Sequence, residues 1–186
     1  MRHISMILFS SLFLQPLIPH AQPKLPPQTG DTLIRFRDRN WLISEKDMQH
    51  FCSRIQEDRR RVYHLINRKQ RMCFQVKGIY THQGMLFFRM SITNHSHLDY
   101  TVDSIRFFTW DDNEAKRKKT PHFSPLFSYG NLNLVKGKTR EESVVVLPQF
   151  TLPANKWLAI EITESHGGRR LTLFVNNFTL LRTRPV

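Results

Sequence analysis

Acidic side chains are scarce in this sequence. Only 15 Asp and Glu stand against 28 Lys and Arg, which leaves a net charge of +13 over 186 residues. So basic a balance calls for an anionic neighbour, and nucleic acid, an anionic membrane surface and an acidic partner protein all qualify. Glycine is thin as well, with 7 residues against 14 Phe. There is no glycine-rich phosphate loop, no dinucleotide-binding turn, no Gly-x-Ser-x-Gly elbow and no His-Glu-x-x-His. Asp111 and Asp112 are adjacent in a turn signal and would point apart, so they do not make an acid/base couple. The sequence therefore predicts a protein that is not an enzyme and carries no cofactor.

A long apolar run is missing too. Ile7–Leu14 is far shorter than the roughly 20 apolar residues that a membrane helix needs. With Arg2 ahead of it, and with Pro16 and Pro19 breaking it before Ala21, it reads as a secretory signal peptide over 1–21. No Cys follows the run, so a lipid-anchored N-terminus is not supported. Two cysteines, Cys52 and Cys73, would sit in an oxidising compartment after export. If Cys52 lies in a helix running to about Asn67, the return path to Cys73 closes a bridge only when taut, because the Cα atoms must come within about 7 Å. Two buried free thiols are the plainer expectation.

What is present favours one core. Hydrophobic residues make up 40% of the chain and aromatics 11%, enough to argue against disorder. Pro23–Gly30 reads as an extended linker, and Thr32–Phe36 and Trp41–Ser44 as weak strands, so 22–44 is linker with strand or loose-hairpin character. Ser44 is a candidate N-cap followed by Glu45 and Asp47, which suit the positive end of a helix. Met48, Cys52, Ile55, Val62 and Ile66 then recur at helical spacing, interrupted by Arg59. The expectation is one long basic amphipathic helix within 45–70, its other faces carrying Arg54, Arg60, Arg61, Arg68, Lys69 and Arg71.

From Met72 the period changes to two. Phe74, Val76 and Tyr80 alternate with polar residues, Gln83-Gly84 marks a turn, and Leu86, Phe88, Met90 and Ile92 follow on one face. Further strands are expected at Tyr100–Trp110, Phe127–Tyr129, Glu142–Leu147, Trp157–Thr163 and Leu171–Val175, with Gly167-Gly168 turning the last pair. A helix ahead of many short strands disfavours a parallel α/β fold. It predicts a mainly β protein, with an antiparallel β-sandwich, Ig-like or barrel-like, over 71–186.

The candidate partner-binding residues are Arg54, Arg60, Arg61, Arg68, Lys69 and Arg71, with the run Lys116, Arg117, Lys118 and Lys119. They would meet an acidic protein surface or, as the alternative, nucleic acid bound by an Arg-rich helix. Aromatics are thin among them, which counts against a stacking platform for single strands. His82, His95 and His97 could in principle hold a metal, but no carboxylate or Cys cluster accompanies them, and a polar surface loop is the better reading.

A series of motifs carries a resemblance. Lys77-Gly78-Ile79-Tyr80 with Gly84, Leu86-Phe87-Phe88, Val102-Asp103-Ser104-Ile105-Arg106-Phe107 and Ala115-Lys116-Arg117 come first. Pro125-Leu126 with Tyr129, Gly137-Lys138, Phe150-Thr151-Leu152-Pro153, Glu161 through Glu164, Gly167-Gly168-Arg169 and Arg184-Pro185 follow. In order and spacing these resemble the TraN proteins of Bacteroides-type conjugative transposons, over roughly 72–186. The resemblance implies a periplasmic structural component of a conjugative, type IV secretion-like apparatus. It would assemble with other apparatus subunits in an outer-membrane core complex and have no catalytic residues. Family members usually carry a β-rich domain ahead of the helix, a place that the short 22–44 segment takes here.

Overall fold

The structure is a computed structural model that describes residues 33–35, 42–60, 64–111 and 120–186. The expected signal peptide, Arg61 and Lys116 through Lys119 lie outside the described residues. All described residues belong to one unit, Asp31–Val186. It opens with β1 (Leu33–Arg35) and β2 (Leu42–Ser44), an antiparallel pair whose backbone register sets Ile34 opposite Ile43.

Helix α1 (Glu45–Glu57) begins as the sequence predicts. Ser44 is its N-cap, the Asp47 N–H donating to Ser44 Oγ at 3.1 Å, and the acidic Glu45 and Asp47 lie in the first turn. Met48, Cys52 and Ile55 form its buried stripe. The long basic helix does not occur. The chain leaves helical geometry at Asp58, whose N–H donates to Ile55 O at 3.3 Å. Within its bounds α1 carries Lys46 and Arg54 against Glu45, Asp47 and Glu57, so it is not basic. Ile66, assigned to the helical stripe by spacing, sits instead on strand β3 (Ile66–Lys69). Arg59 interrupts the apolar stripe because the helix has already ended there.

Strand β3 turns into β4 (Met72–His82) through Gln70 and Arg71, both at positive φ of 51° and 60°. This is the geometry of a two-residue hairpin turn, made here without glycine. Gln83 and Gly84 make the next such turn into β5 (Met85–Asn94), which pairs with β4 along its whole length. The register slips once, between Val76 and Gly78, where Lys77 is the extra residue of a bulge. The slip moves the inward side from even to odd positions: Met72, Phe74 and Val76 face the core before it, and Ile79 after it.

Strands β6 (Tyr100–Asp111), β7 (Thr120–Phe123), β8 (Phe127–Gly130), β9 (Leu134–Val135), β10 (Arg140–Pro148), β11 (Lys156–Glu164) and β12 (Arg170–Asn176) follow. A short helix α2 (Asn177–Leu181) then leads to β13 (Arg184–Pro185). Two sheets result. One has the order β13-β4-β5-β10-β8 with β3 also on β4, and the other β12-β11-β6-β7 with β9 also on β6. Pairing is antiparallel except for β13, which runs parallel to β4. The expected antiparallel sandwich is therefore the observed fold.

Between the sheets lies the main core, which includes Phe74, Phe88, Met90, Tyr100, Phe107, Leu158, Ile160, Ile162 and Leu173. A second cluster covers the other face of the first sheet. There Met48, Cys52 and Ile55 of α1 pack on Tyr80, Met85, Phe87, Val144 and Val146. The first sheet is thus buried on both faces, which explains why Met85-Leu86-Phe87-Phe88 and Val144-Val145-Val146 read as continuous apolar runs. Cys52 and Cys73 are free. Cys52 is buried as expected, while Cys73 is only half-buried.

Candidate partner interface

The most distinctive motif, Lys77-Gly78-Ile79-Tyr80, sits at the β4 bulge beneath the end of α1. Its residues lock the helix to the sheet. Lys77, 2% exposed, forms an ion pair with Glu142 of β10, and the Arg89 guanidinium of β5 reaches the same carboxylate at 3.3 Å. Gln56 of α1 donates to Glu142 O at 3.3 Å. Burial pushes the Glu142 carboxyl up, but Lys77 and then Arg89 outweigh it and hold the group below the usual carboxylate range. Burial lowers Lys77, partly offset by Glu142. Tyr80 donates its hydroxyl to Asp58 Oδ2 at 2.8 Å, just past the end of α1. Burial, and then Asp58, push the phenol up to about 12.

A second cluster joins the loops at one end of the sandwich. Arg169 pairs with Glu164, donates to Asp99 O at 2.5 Å and Ser96 Oγ at 3.2 Å, and lies over the Tyr100 ring at 5.0 Å. The Arg169 hydrogen bond lowers the Glu164 carboxyl against the effect of burial. Gly137 belongs to the same end. Its N–H donates to Asp99 Oδ1 at 2.8 Å, and a Cβ there would lie 2.5 Å from His97 O. On the outer face of the second sheet Glu161 accepts from Arg106 at 2.6 Å. Several of the most recognisable motif residues therefore hold elements together.

The candidate basic residues divide. Arg54 is exposed on α1, and Arg60 lies beyond it with Asp58 2.9 Å away. Burial raises the Asp58 carboxyl, yet the Arg60 N–H, the Tyr80 hydroxyl and the Arg60 guanidinium together hold it low. Arg68 and Lys69 are exposed on β3, and Arg71 is exposed in the turn that follows. These three come together with two cations that are not among the candidate partner-binding residues. Arg71 Nε and Lys138 Nζ both donate to His95 O, at 3.3 and 2.9 Å, and Arg140 Nε donates to Thr93 Oγ1 at 3.2 Å. Arg68, Cys73, Thr93 and Arg140 form one row across the sheet. The signal for this basic end was available in Lys136-Gly137-Lys138-Thr139-Arg140.

The three histidines do not converge. His82 lies at the β4–β5 turn with its ring 4.3 Å from that of Phe51, whereas His95 and His97 follow the far end of β5. Among the described residues no group of three His, Cys, Asp or Glu is placed to hold a metal ion. No described helix is long and apolar enough to cross a membrane.

These features define a two-sheet β-sandwich with one outer helix, held together by buried ion pairs. Residues 45–185 match the family described as "Domain of unknown function (DUF4138)", and the chain belongs to that family, which is known from conjugative transposon proteins. No curated protein and no solved structure is matched by this chain.

Proposed function

We propose that this protein is a non-enzymatic structural component of a conjugative transfer apparatus, of the TraN type, which acts by assembling with other subunits on the periplasmic side of the outer membrane. Membership of a family known from conjugative transposon proteins carries the reading. The sandwich supports it, since the motif residues Lys77, Gly78, Tyr80 and Arg169 serve packing and clamping, which suits a scaffold. The exposed basic end with Arg68, Lys69 and Arg71 offers a surface for an acidic neighbour. The nucleic-acid alternative called for an Arg-rich helix. Because α1 carries more acidic than basic residues, that alternative is left without its vehicle.

The test is co-purification. In cells with intact transfer machinery, a tagged copy should fractionate with the envelope and bring down other transfer subunits. A cytoplasmic protein, or one that recovers none of those subunits, ends this reading.

A further inference from the structure

The outer edge of β4 is covered in two pieces. β3 pairs with it up to Gln75, the Val76 N–H donates to Leu65 O at 3.0 Å, and β13 takes over at Tyr80. Among the described residues no strand pairs with that edge at Lys77 and Gly78, at the bulge. Beside this gap the chain crosses from one sheet to the other, leaving β12, turning through α2 and joining the first sheet as β13. A cavity of about 490 Å³ opens at the seam, with Gly78 and Ile79 on the sheet side and Phe178, Thr179, Arg182 and Arg184 on the other.

The chemistry of that lining is one-sided. Among the described residues its charged lining is Arg182 and Arg184, with no carboxylate. Arg184 Nη1 is buried without a hydrogen-bond partner among the described residues, which is costly for a guanidinium N–H. Arg182 is exposed, its guanidinium 4.9 Å from the centroid of the Phe178 ring. Apolar surface gathers at the same place. Of the four large hydrophobics exposed among the described residues, two, Phe178 at 64% and Leu181 at 65%, are on α2.

We infer that this seam is a docking groove for a short extended acidic segment of a partner protein, an inference that rests on the assembly role proposed above. A carboxylate of the segment accepts from the exposed Arg182 guanidinium, with the charge of Arg184 beside it, and two-pronged Arg–carboxylate contacts fix orientation as well as charge. An aliphatic side chain beside it covers Phe178 and Leu181. The backbone lies along the free stretch of the β4 edge, as in strand addition. Two open residues span about 7 Å of strand, which suits an extended peptide and leaves little room for a helix.

The probe is a set of short fluorescein-labelled peptides in which Glu residues flank a single Leu, matched with peptides carrying Gln for Glu. Polarisation is read with the full chain. The acidic peptides should bind, more weakly as salt rises. The Gln peptides should bind about tenfold more weakly or not at all, and Arg182→Glu and Phe178→Ala should each weaken the acidic peptides about tenfold. Both side chains are exposed, so the variants should melt like the parent. The inference is overturned if no acidic peptide binds at low salt or if Gln and Glu peptides bind alike. It also falls if both variants bind as the parent does, or if a single-stranded oligonucleotide binds the groove in place of the peptides. Loss of peptide binding by R182E with transfer subunits still co-purifying would sink the groove as the assembly contact and leave the apparatus reading standing. Peptide binding that depends on Arg182 without any co-purification would do the reverse.

Discussion

The ring of Tyr80 occupies the space that a side chain on Gly78 would need. A Cβ added at Gly78 would lie 2.8 Å from Tyr80 Cε2 and Oη. Gly78 is required for room here, since its φ is not in the left-handed region. The ring cannot move away freely because its hydroxyl is held by Asp58 at 2.8 Å. Gly78→Ala should therefore destabilise the protein by about 1–3 kcal/mol, the cost of overpacking and of straining that hydrogen bond. Tyr80→Phe should cost about 1–2 kcal/mol by losing a bond to a charged acceptor. Urea unfolding of both single variants and of the double variant measures the coupling. Simple additivity would show that the two positions do not contend for the same space.

Glu142 and Lys77 should respond unequally to removal. Glu142→Ala strands Lys77 and Arg89, which are 2% and 6% exposed. Leaving buried cations unpaired should cost about 3–5 kcal/mol. Lys77→Met replaces the more deeply buried charge with an apolar chain and leaves Glu142 its Arg89 contact, so the loss should stay below about 2 kcal/mol. Chemical denaturation of the two variants checks the order, and a K77M loss as large as that of E142A would refute the clamp.

Acid should weaken the fold through three carboxylates. Asp58, Glu142 and Glu164 are all held below the ordinary carboxylate range in the folded protein. A group lowered on folding adds stability that is present above its unfolded pKa and is lost as pH falls through its folded pKa. The loss should therefore begin near pH 4, where free carboxylates titrate, and continue below it. Urea midpoints taken across that range should fall, and Glu142→Gln should make the fall shallower. A flat profile would count against these pairs.

The two thiols should separate by reactivity. Burial pushes Cys52 up to about 12, which leaves almost no thiolate at neutral pH, whereas Cys73 is free and half-buried on β4. A thiol reagent should label Cys73 in the native protein, and Cys52 only after unfolding. Peptide mapping distinguishes the sites. Failure of both to react in denaturant without reductant would reveal a bridge.

Much of the sheet was legible from the sequence because short apolar runs lie between turn signals, alternating in β12 and continuous in β10 and β11. β6, β8, β10, β11 and β12 lie within two residues of their predicted bounds at each end. The helix was misread for a physical reason. Ile66 falls at helical distance from Ile55, yet the turn after β3 is built from Gln70 and Arg71, which carry no turn signature. Once that hairpin is missed, the helical period runs on through a strand. The bulge at Lys77 was equally silent, since a slipped register leaves no trace in composition. Of the candidate site, Arg68, Lys69 and Arg71 were named but placed on the wrong element. The groove was not foreseen, because Phe178 and Arg184 lie on elements too short to set up a period and Arg182 lies between them.

The parallel pairing of Arg184 with Tyr80 and Pro185 with Thr81 bears on how the chain acquires its shape. The β4–β5 hairpin is local and can close early, but β10 and β13 must arrive from far along the chain. Until they do, any intermediate holding that hairpin shows a naked strand border able to recruit another molecule. Recovery after dilution from denaturant should accordingly fall as protein concentration rises, with aggregates nucleated through the hairpin that later lies inside the first sheet.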